Sequence, residues 1–398
     1  MDLDQHSIES IVRQVLTKMK EPAQESALSV KAGMAQVAML ESLKNFAIRE
    51  YPIPELEDDD ILVKVEGCGV CGTDVHEWKG DPFGYIPLVL GHEGTGEIIG
   101  LGRNIKKDSQ GNPVKVGDKL VTSVISCGEC PNCLLHPESP QLCENQGVYG
   151  LITDSPRNHL TGWFASHIVI KKGSTYFVVN ELSLDQRMLL ELAAVAVHAV
   201  QQGKSTGRLH FDSRVVVSGC GPVGLMVTAA LRVAGVGEIT VIDGSEQRLD
   251  FARQLGASHI VNFKQTPTLD GRIQAVQSVT RGQGADFAFQ CTGNPQAASD
   301  VYKFIRRGGG LCEMGFFVDN GNATINPHFD LCKKEIALVG SWTYGAHEYP
   351  LTIAFLKRAK ELGLPLERMI THRFPLGKMN EAMETNLSMQ GMKIAYVS

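Results

Sequence analysis

Residues 215–226 read VVVSGCGPVGLM, and the fold is decided there. Val215, Val216 and Val217 are β-branched residues in an apolar run, as in a strand buried on both faces. A glycine fingerprint follows, Gly219-x-Gly221-x-x-Gly224, and opens the helical stretch GPVGLMVTAALRVAG. Gly219 suits a tight turn, Gly221 lets backbone N–H groups approach a pyrophosphate, and Gly224 lets the helix pack closely on the sheet. Pro222 and Val223 belong to the same cofactor loop, where the helix N-terminus supplies positive field for phosphate. Asp243 ends the next strand, EITVID, nineteen positions after Gly224. Its carboxylate suits the ribose hydroxyls of an adenosine and repels a 2'-phosphate, which favours NAD over NADP. Arg248, in the following helix, packs over the adenine or caps a salt link.

Working outward, HIVNF (259–263), ADFAFQ (285–290), GGLCEMG (309–315) and IALVG (336–340) continue the series of buried parallel strands, with SEQRLDFARQLG as a helix between. The expected cofactor domain is 189–345. Before it the texture is one of short strands and turns: ILVKVEGCGV (61–70), GTGEIIGLG (94–102), GDKLVTS (117–123) and FASHIVIK (164–171). Residues 35–188 therefore read as an irregular, barrel-like β domain. Residues 346–398, with helix-like LTIAFLKRAKELG and KMNEAMETNLSM and a last strand MKIAYV, are expected to return to it.

Two metal signals lie in the β domain. Cys127, Cys130, Cys133 and Cys143 offer four soft ligands within seventeen residues, the donor set of a closed tetrahedral zinc site. An iron–sulfur cluster is the runner-up for them. The second signal is Cys71 in GVCGTDVH with His92 in GHEG. A catalytic zinc needs three protein ligands and one open position. The residues alone leave Glu93, Glu191, His198 and Asp74 all open as the third.

Composition narrows the class. A formal net charge of −6 over 398 residues, with no basic stripe, argues against a nucleic-acid partner. No apolar stretch reaches membrane-spanning length and no secretory leader is visible, so a cytoplasmic enzyme is expected. Ten cysteines, four of them clustered, read as thiolate ligands in a reducing compartment. Ile8, Ile11, Val12, Val15, Leu16 and Met19 form the apolar stripe of an amphipathic helix over residues 5–20, followed by a small-residue linker ending at about 34. The stripe needs a partner surface: the body of the enzyme, a second subunit, or something else. In length, stripe and linker the segment resembles the N-terminal encapsulation peptides of enzymes packed inside bacterial microcompartments. Residues 1–20 are then a docking helix for shell or cargo proteins.

From about residue 35 onward, GVCGTDVH, GHEG, the four-cysteine lobe and GCGPVG together resemble the zinc-containing medium-chain dehydrogenase/reductase family. The resemblance implies an α/β chain with a GroES-like catalytic domain, a Rossmann cofactor domain and a cleft between them. It implies catalytic and structural zinc ions, NAD, a small alcohol or carbonyl substrate, and a homodimer or homotetramer. Cys71 matches the first catalytic ligand and His92 the second. Glu191, in ELAAVAVHA, takes the third position of the sorbitol, threonine and butanediol dehydrogenase branch, with leucine where proline is usual. Glu93 is expected within reach of the same metal. Nine residues separate Cys133 from Cys143 where the family usually has seven. The implied mechanism makes Thr73 the first proton acceptor from the alcohol and His76 a relay toward solvent, with Asp74 orienting a ligand or a turn. Cys291 and Thr292 match the segment beside the nicotinamide. Trp78, Phe83 and Tyr85 are candidate pocket walls, though aromatic residues there serve equally well as core. The expected reaction is hydride transfer between NAD and a secondary alcohol, diol or amino alcohol. The alternatives are a primary-alcohol or aldehyde reductase of the same family, action on a formaldehyde–thiol adduct, and a non-catalytic NAD- and zinc-binding protein.

Overall fold

Short alternating segments punctuated by glycine and proline can only bury one face each, so they must pair into sheets. In the computed structural model, which describes residues 33–398, they do so in two sheets, one of three strands and one of seven. The N-terminal unit contains β1 (Met34–Ser42), β2 (Asn45–Pro52), β3 (Ile61–Val70), β4 (Leu88–Val89), β5 (Glu93–Leu101), β6 (Lys119–Thr122), β7 (His167–Ile170) and β8 (Tyr176–Val178). A small antiparallel sheet has the order β2-β1-β4. The helix expected over residues 1–20, and the linker expected over 21–34 as far as residue 32, lie outside the described residues.

The cofactor unit contains β9 (Arg214–Ser218), β10 (Glu238–Asp243), β11 (His259–Asn262), β12 (Ala285–Gln290), β13 (Ile305–Glu313) and β14 (Ala337–Gly340). All are parallel, in the order β11-β10-β9-β12-β13-β14. Val215, Val216 and Val217 are at most 1% exposed, as a strand covered on both faces requires. The strand order reverses between β9 and β12, and a crevice opens beyond their carboxyl ends. The helix Tyr349–Glu361 packs on the helices Leu190–Ser205 and Pro222–Val233 of this unit.

The chain then rejoins the first unit through β15 (Ile370–Phe374) and β16 (Lys393–Val397). The large sheet runs β15-β16-β3-β5-β6-β8, with β7 also paired to β3. Its register puts Gly69 of β3 opposite both Glu93 of β5 and Ala395 of β16.

Asp286 ties three strands of the cofactor sheet. It accepts from Arg214 N at 2.7 Å, Arg214 Nε at 2.9 Å and Arg214 Nη2 at 3.0 Å, and also from Arg306 Nε. Burial opposes its ionisation, but these donors hold the carboxyl down at about 2. A depressed acid contributes stability above its unfolded pKa and loses it as pH falls through the folded value. Asp286→Asn should therefore lower urea-unfolding stability by about 1–3 kcal/mol at neutral pH. The gap between variant and wild type should close as pH falls from about 4 toward about 2.

Candidate active site and metal centres

Cys71 directly follows β3 and caps the helix Gly72–Gly80, and Asp74 sits in that helix's first turn. The Asp74 carboxylate is fully buried. Its Oδ2 accepts from Cys71 N at 2.8 Å and its Oδ1 from Gly91 N at 3.2 Å. Oδ1 also lies 3.3 Å from His92 Nδ1. With Nδ1 turned to Asp74, the other ring nitrogen of His92 is left to face Cys71. Burial would lower the pKa of His92, but Asp74 and Cys71 push it well up.

Glu93 enters from β5 against Gly69, where a side chain would collide with its carboxylate. Lys393 Nζ donates to Glu93 Oε1 at 2.6 Å, with both residues at most 2% exposed. The ligand atoms of Cys71, His92 and Glu93 all lie within 4.8 Å of one another. A thiolate, an imidazole and a carboxylate converging beside a cavity fit a zinc ion with one position open. Glu191 lines the same cavity but stands outside that donor cluster. Burial and the Glu93 carboxylate push its carboxyl up to about 7.

Thr73 lines the cavity, with Oγ1 3.7 Å from Cys71 Sγ. His76, one turn along, is partly exposed and does not line it. Of the aromatic residues left open as wall or core, Trp78 is core: it is 3% exposed, its indole N–H donating to Asn380 Oδ1 at 3.2 Å. Phe83 packs on Tyr85 and edge-on to Phe317, which stacks on Trp342 with centroids 4.7 Å apart. Phe317 and Trp342 are the aromatic residues that wall the cavity, along with Phe316 and Tyr344.

The sulfurs of Cys127, Cys130, Cys133 and Cys143 also lie mutually within 4.8 Å, and all four thiols are free. Backbone N–H groups point at them: Cys130 N at 3.4 Å from Cys127 Sγ, and Cys127 N and Asn145 N each at 3.3 Å from Cys143 Sγ. Donors from Glu129 and Cys130 draw the Cys127 thiol down to about 6. Such a set fits a closed tetrahedral zinc.

In the glycine loop Gly219 has φ +102°, and a Cβ on Gly224 would strike the Gly219 carbonyl oxygen. A Cβ on Gly221 would meet nothing within 4 Å. Pro222 starts the helix and Val223 reaches the catalytic cavity. Asp243 is turned toward the loop, accepting from Cys220 N at 2.7 Å, Gly244 N at 2.7 Å and Ser245 N at 2.8 Å. Arg248 borders the adjoining depression and donates to Gly391 O at 2.9 Å, linking the two units. Cys291 N bonds Ser218 O at 2.8 Å, which lays Cys291 and Thr292 beside Gly219.

Residues 57–180 match the alcohol dehydrogenase GroES-like domain, and residues 222–358 match the zinc-binding dehydrogenase model. L-threonine 3-dehydrogenase of Symbiobacterium thermophilum is 31% identical over 369 residues, 92% of this chain and 97% of that protein. The chain belongs to the zinc-binding medium-chain dehydrogenase family. Sorbitol dehydrogenase of Bacillus subtilis is 29% identical over 88% of this chain and 93% of its own length. An alcohol dehydrogenase structure from Thermotoga maritima superposes with a TM-score of 0.85 at 31% identity, covering 92% of this chain and 99% of that one. This dehydrogenase uses zinc and NAD to oxidise or reduce a small alcohol–carbonyl pair. Among its described residues no helix is long and apolar enough to cross a membrane.

Lys393, Tyr344 and the aromatic walls Phe316, Phe317 and Trp342 escaped the sequence reading of this dehydrogenase's site. Lys393 carried a signal, since a lysine inside an apolar terminal strand needs a buried partner. Tyr344 carried none. The glycine geometry separates folding from cofactor binding. Gly224→Ala should lose both stability and NADH affinity. Gly221→Ala should unfold like wild type yet bind NADH about tenfold or more weakly, read by fluorescence titration.

Proposed function

We propose that this chain oxidises a small secondary alcohol, diol or amino alcohol with NAD, in a cavity shared by Cys71, His92, Glu93 and Glu191. The observation that carries this reading is that cavity's reach. Its wall runs from the metal-type donors to Val223 at the dinucleotide loop and on to Glu313 at the end of β13 and Met314 just beyond it. When bound, zinc polarises the alcohol oxygen and NAD accepts hydride.

The chain's own residues do the rest. Cys71, His92 and Glu93 hold the metal, Asp74 fixes the tautomer of His92, and Lys393 moors Glu93. Thr73 takes the proton from the substrate hydroxyl. His76, whose basicity burial and Lys79 both lower, is neutral at pH 7 and able to carry that proton outward. Phe317 and Trp342 exclude water from the reacting carbon. Cys127, Cys130, Cys133 and Cys143 hold a second, structural zinc. Asp243 selects NAD over NADP, helped by the Cys220, Gly244 and Ser245 N–H groups that fix its carboxylate.

The substrate class rests on the threonine and sorbitol dehydrogenases above and on a butanediol dehydrogenase structure from Bacillus subtilis, 25% identical with a TM-score of 0.77. The amphipathic stripe of residues 5–20 supports a docking role against a microcompartment shell, with the catalytic body a cytoplasmic homo-oligomer.

Metal content and turnover test this together. Wild type should hold about two zinc ions per chain, one for each donor cluster. Cys71→Ser should lose one ion and essentially all turnover, while Cys143→Ser should lose the other and melt earlier. Glu191→Ala should cut turnover of secondary alcohols by about 10–100-fold. A wild type with zinc only at the four-cysteine lobe, or turnover confined to primary alcohols, would overturn the reading.

A further inference from the structure

The wall of the catalytic cavity is lopsided in charge. Glu93, Glu191 and Glu313 line it, and among the described residues no lysine or arginine does. Lys393 neutralises Glu93, its Nζ 2.6 Å from Oε1, and a bound zinc takes up the charges of Cys71 and Glu93. Glu313 comes from the cofactor unit and has no such partner on that wall. A cleft lined by one sign of charge concentrates substrate of the other sign and turns away its own.

Register gathers other groups around Glu313. It closes β13 behind Leu311 and Cys312, both fully buried, and its Oε1 accepts from Gly315 N at 2.9 Å. Burial pushes its carboxyl up to about 7. A cation beside it would draw that value back down and keep the group charged. β14 runs alongside with Gly340 opposite Glu313, and Ser341 N donates to Glu313 O at 2.9 Å. Ser341, Trp342 and Thr343 are thereby brought to the same cavity. The hydroxyl oxygens of Ser341 and Thr343 are buried there without a hydrogen-bond partner among the described residues. A carboxylate and two unpartnered hydroxyls make three acceptors, and a primary ammonium group has three N–H donors and no acceptor. Trp342, stacked on Phe317, adds an aromatic face of the kind that attracts cations.

We propose that this cavity selects an alcohol that carries an ammonium group, a small amino alcohol, and that Glu313 is the specificity-determining residue that receives the ammonium, with the Ser341 and Thr343 hydroxyls beside it. The inference rests on the functional reading above and narrows it. A diol satisfies the hydroxyls but leaves the carboxylate without a counter-charge. A carboxylate or phosphate on the substrate meets like charge and no cation to receive it, a repulsion that a water-poor site magnifies. By that criterion the substrate also differs from threonine, whose carboxylate has no partner here.

The test measures kcat/KM with NAD on zinc-loaded full-length enzyme, using two matched sets of secondary alcohols that differ in the charge at one end. The first set is 1-amino-2-propanol, 1,2-propanediol and lactate; the second is 4-amino-2-butanol, 1,3-butanediol and 3-hydroxybutyrate. In at least one set the ammonium member should exceed the diol by about tenfold or more, and the carboxylate should be poorest in both. Glu313→Gln keeps an oxygen for Gly315 N and should shrink the amino-alcohol-to-diol ratio about tenfold, chiefly through KM. Calorimetry with butylammonium, which has no hydroxyl to oxidise, should show binding to wild type and about tenfold weaker binding to the variant. The wild-type ratios decide the matter on their own if the variant fails to fold. Diols preferred in both sets, or a ratio that Glu313→Gln leaves unchanged, overturns the assignment and leaves the dehydrogenase reading intact. So does a variant that loses affinity for NAD relative to NADH with the ratio unchanged, since Glu313 then serves the oxidised nicotinamide. No turnover of any member overturns both readings.

Discussion

The Asp74 carboxylate is the constraint on which the catalytic end of this molecule depends. It is out of water and receives Cys71 N and Gly91 N while facing His92 Nδ1. Each hydrogen bond to a charged group contributes on the order of 1.5–3 kcal/mol net, and leaving such a group unsatisfied costs more. The connection between β3 and β5, which includes a helix, is therefore closed by one side chain. Closing it sets Cys71 and His92 face to face and decides which imidazole nitrogen is available. The metal-type donors are placed by backbone closure first and by their own packing second.

A second placement is done by register. β16 and β5 flank β3, and at the level of Gly69 the missing side chain opens the space that the Glu93 carboxylate occupies. Lys393, two residues before Ala395 on the same face of β16, is carried to that carboxylate. A buried pair of this kind adds little to stability on balance, because desolvation offsets the attraction. Its consequence is positional. Glu93 is moored from one side by Lys393, Glu191 lines the cavity outside the donor cluster, and the two carboxylates stay apart where their mutual repulsion would be strong.

What the sequence made legible was chemistry with short spacing. The glycine loop, the cysteine lobe, and the pairs Cys71–Thr73 and His92–Glu93 announce themselves because their geometry is set within a turn or a strand end. Buried strands such as EITVID and ADFAFQ coincide with β10 and β12 residue for residue, since an apolar run between turn signals has few other readings. β1 and β2 went unread as strands because MAQVAMLES mixes the two periodicities. Trp78 could have been placed correctly. Five residues beyond Thr73 on one helix, it lies about 140° around the axis, so it cannot share a cavity wall with Thr73. Lys393 and Tyr344 are different in kind. Lys393 pairs with Glu93 across 300 positions, and Tyr344 reaches the cavity wall from far along the chain, which no local pattern encodes.

The cavity itself belongs to neither unit. Cys71, His92, Val124 and Leu151 come from the β-rich unit, while Val223, Met314, Phe317, Trp342 and Tyr344 come from the cofactor unit and its edge. Chemistry there requires that the two be held in register to a fraction of an ångström. The hydrogen bonds that span them are unequal. Tyr349 to Thr122 is buried and backed by the stack on Phe177, whereas Arg248 to Gly391 is partly exposed at the adenosine end, beside Asp243. The buried tie thus lies two residues from Val124 of the cavity wall, and the partly exposed one at the adenosine end.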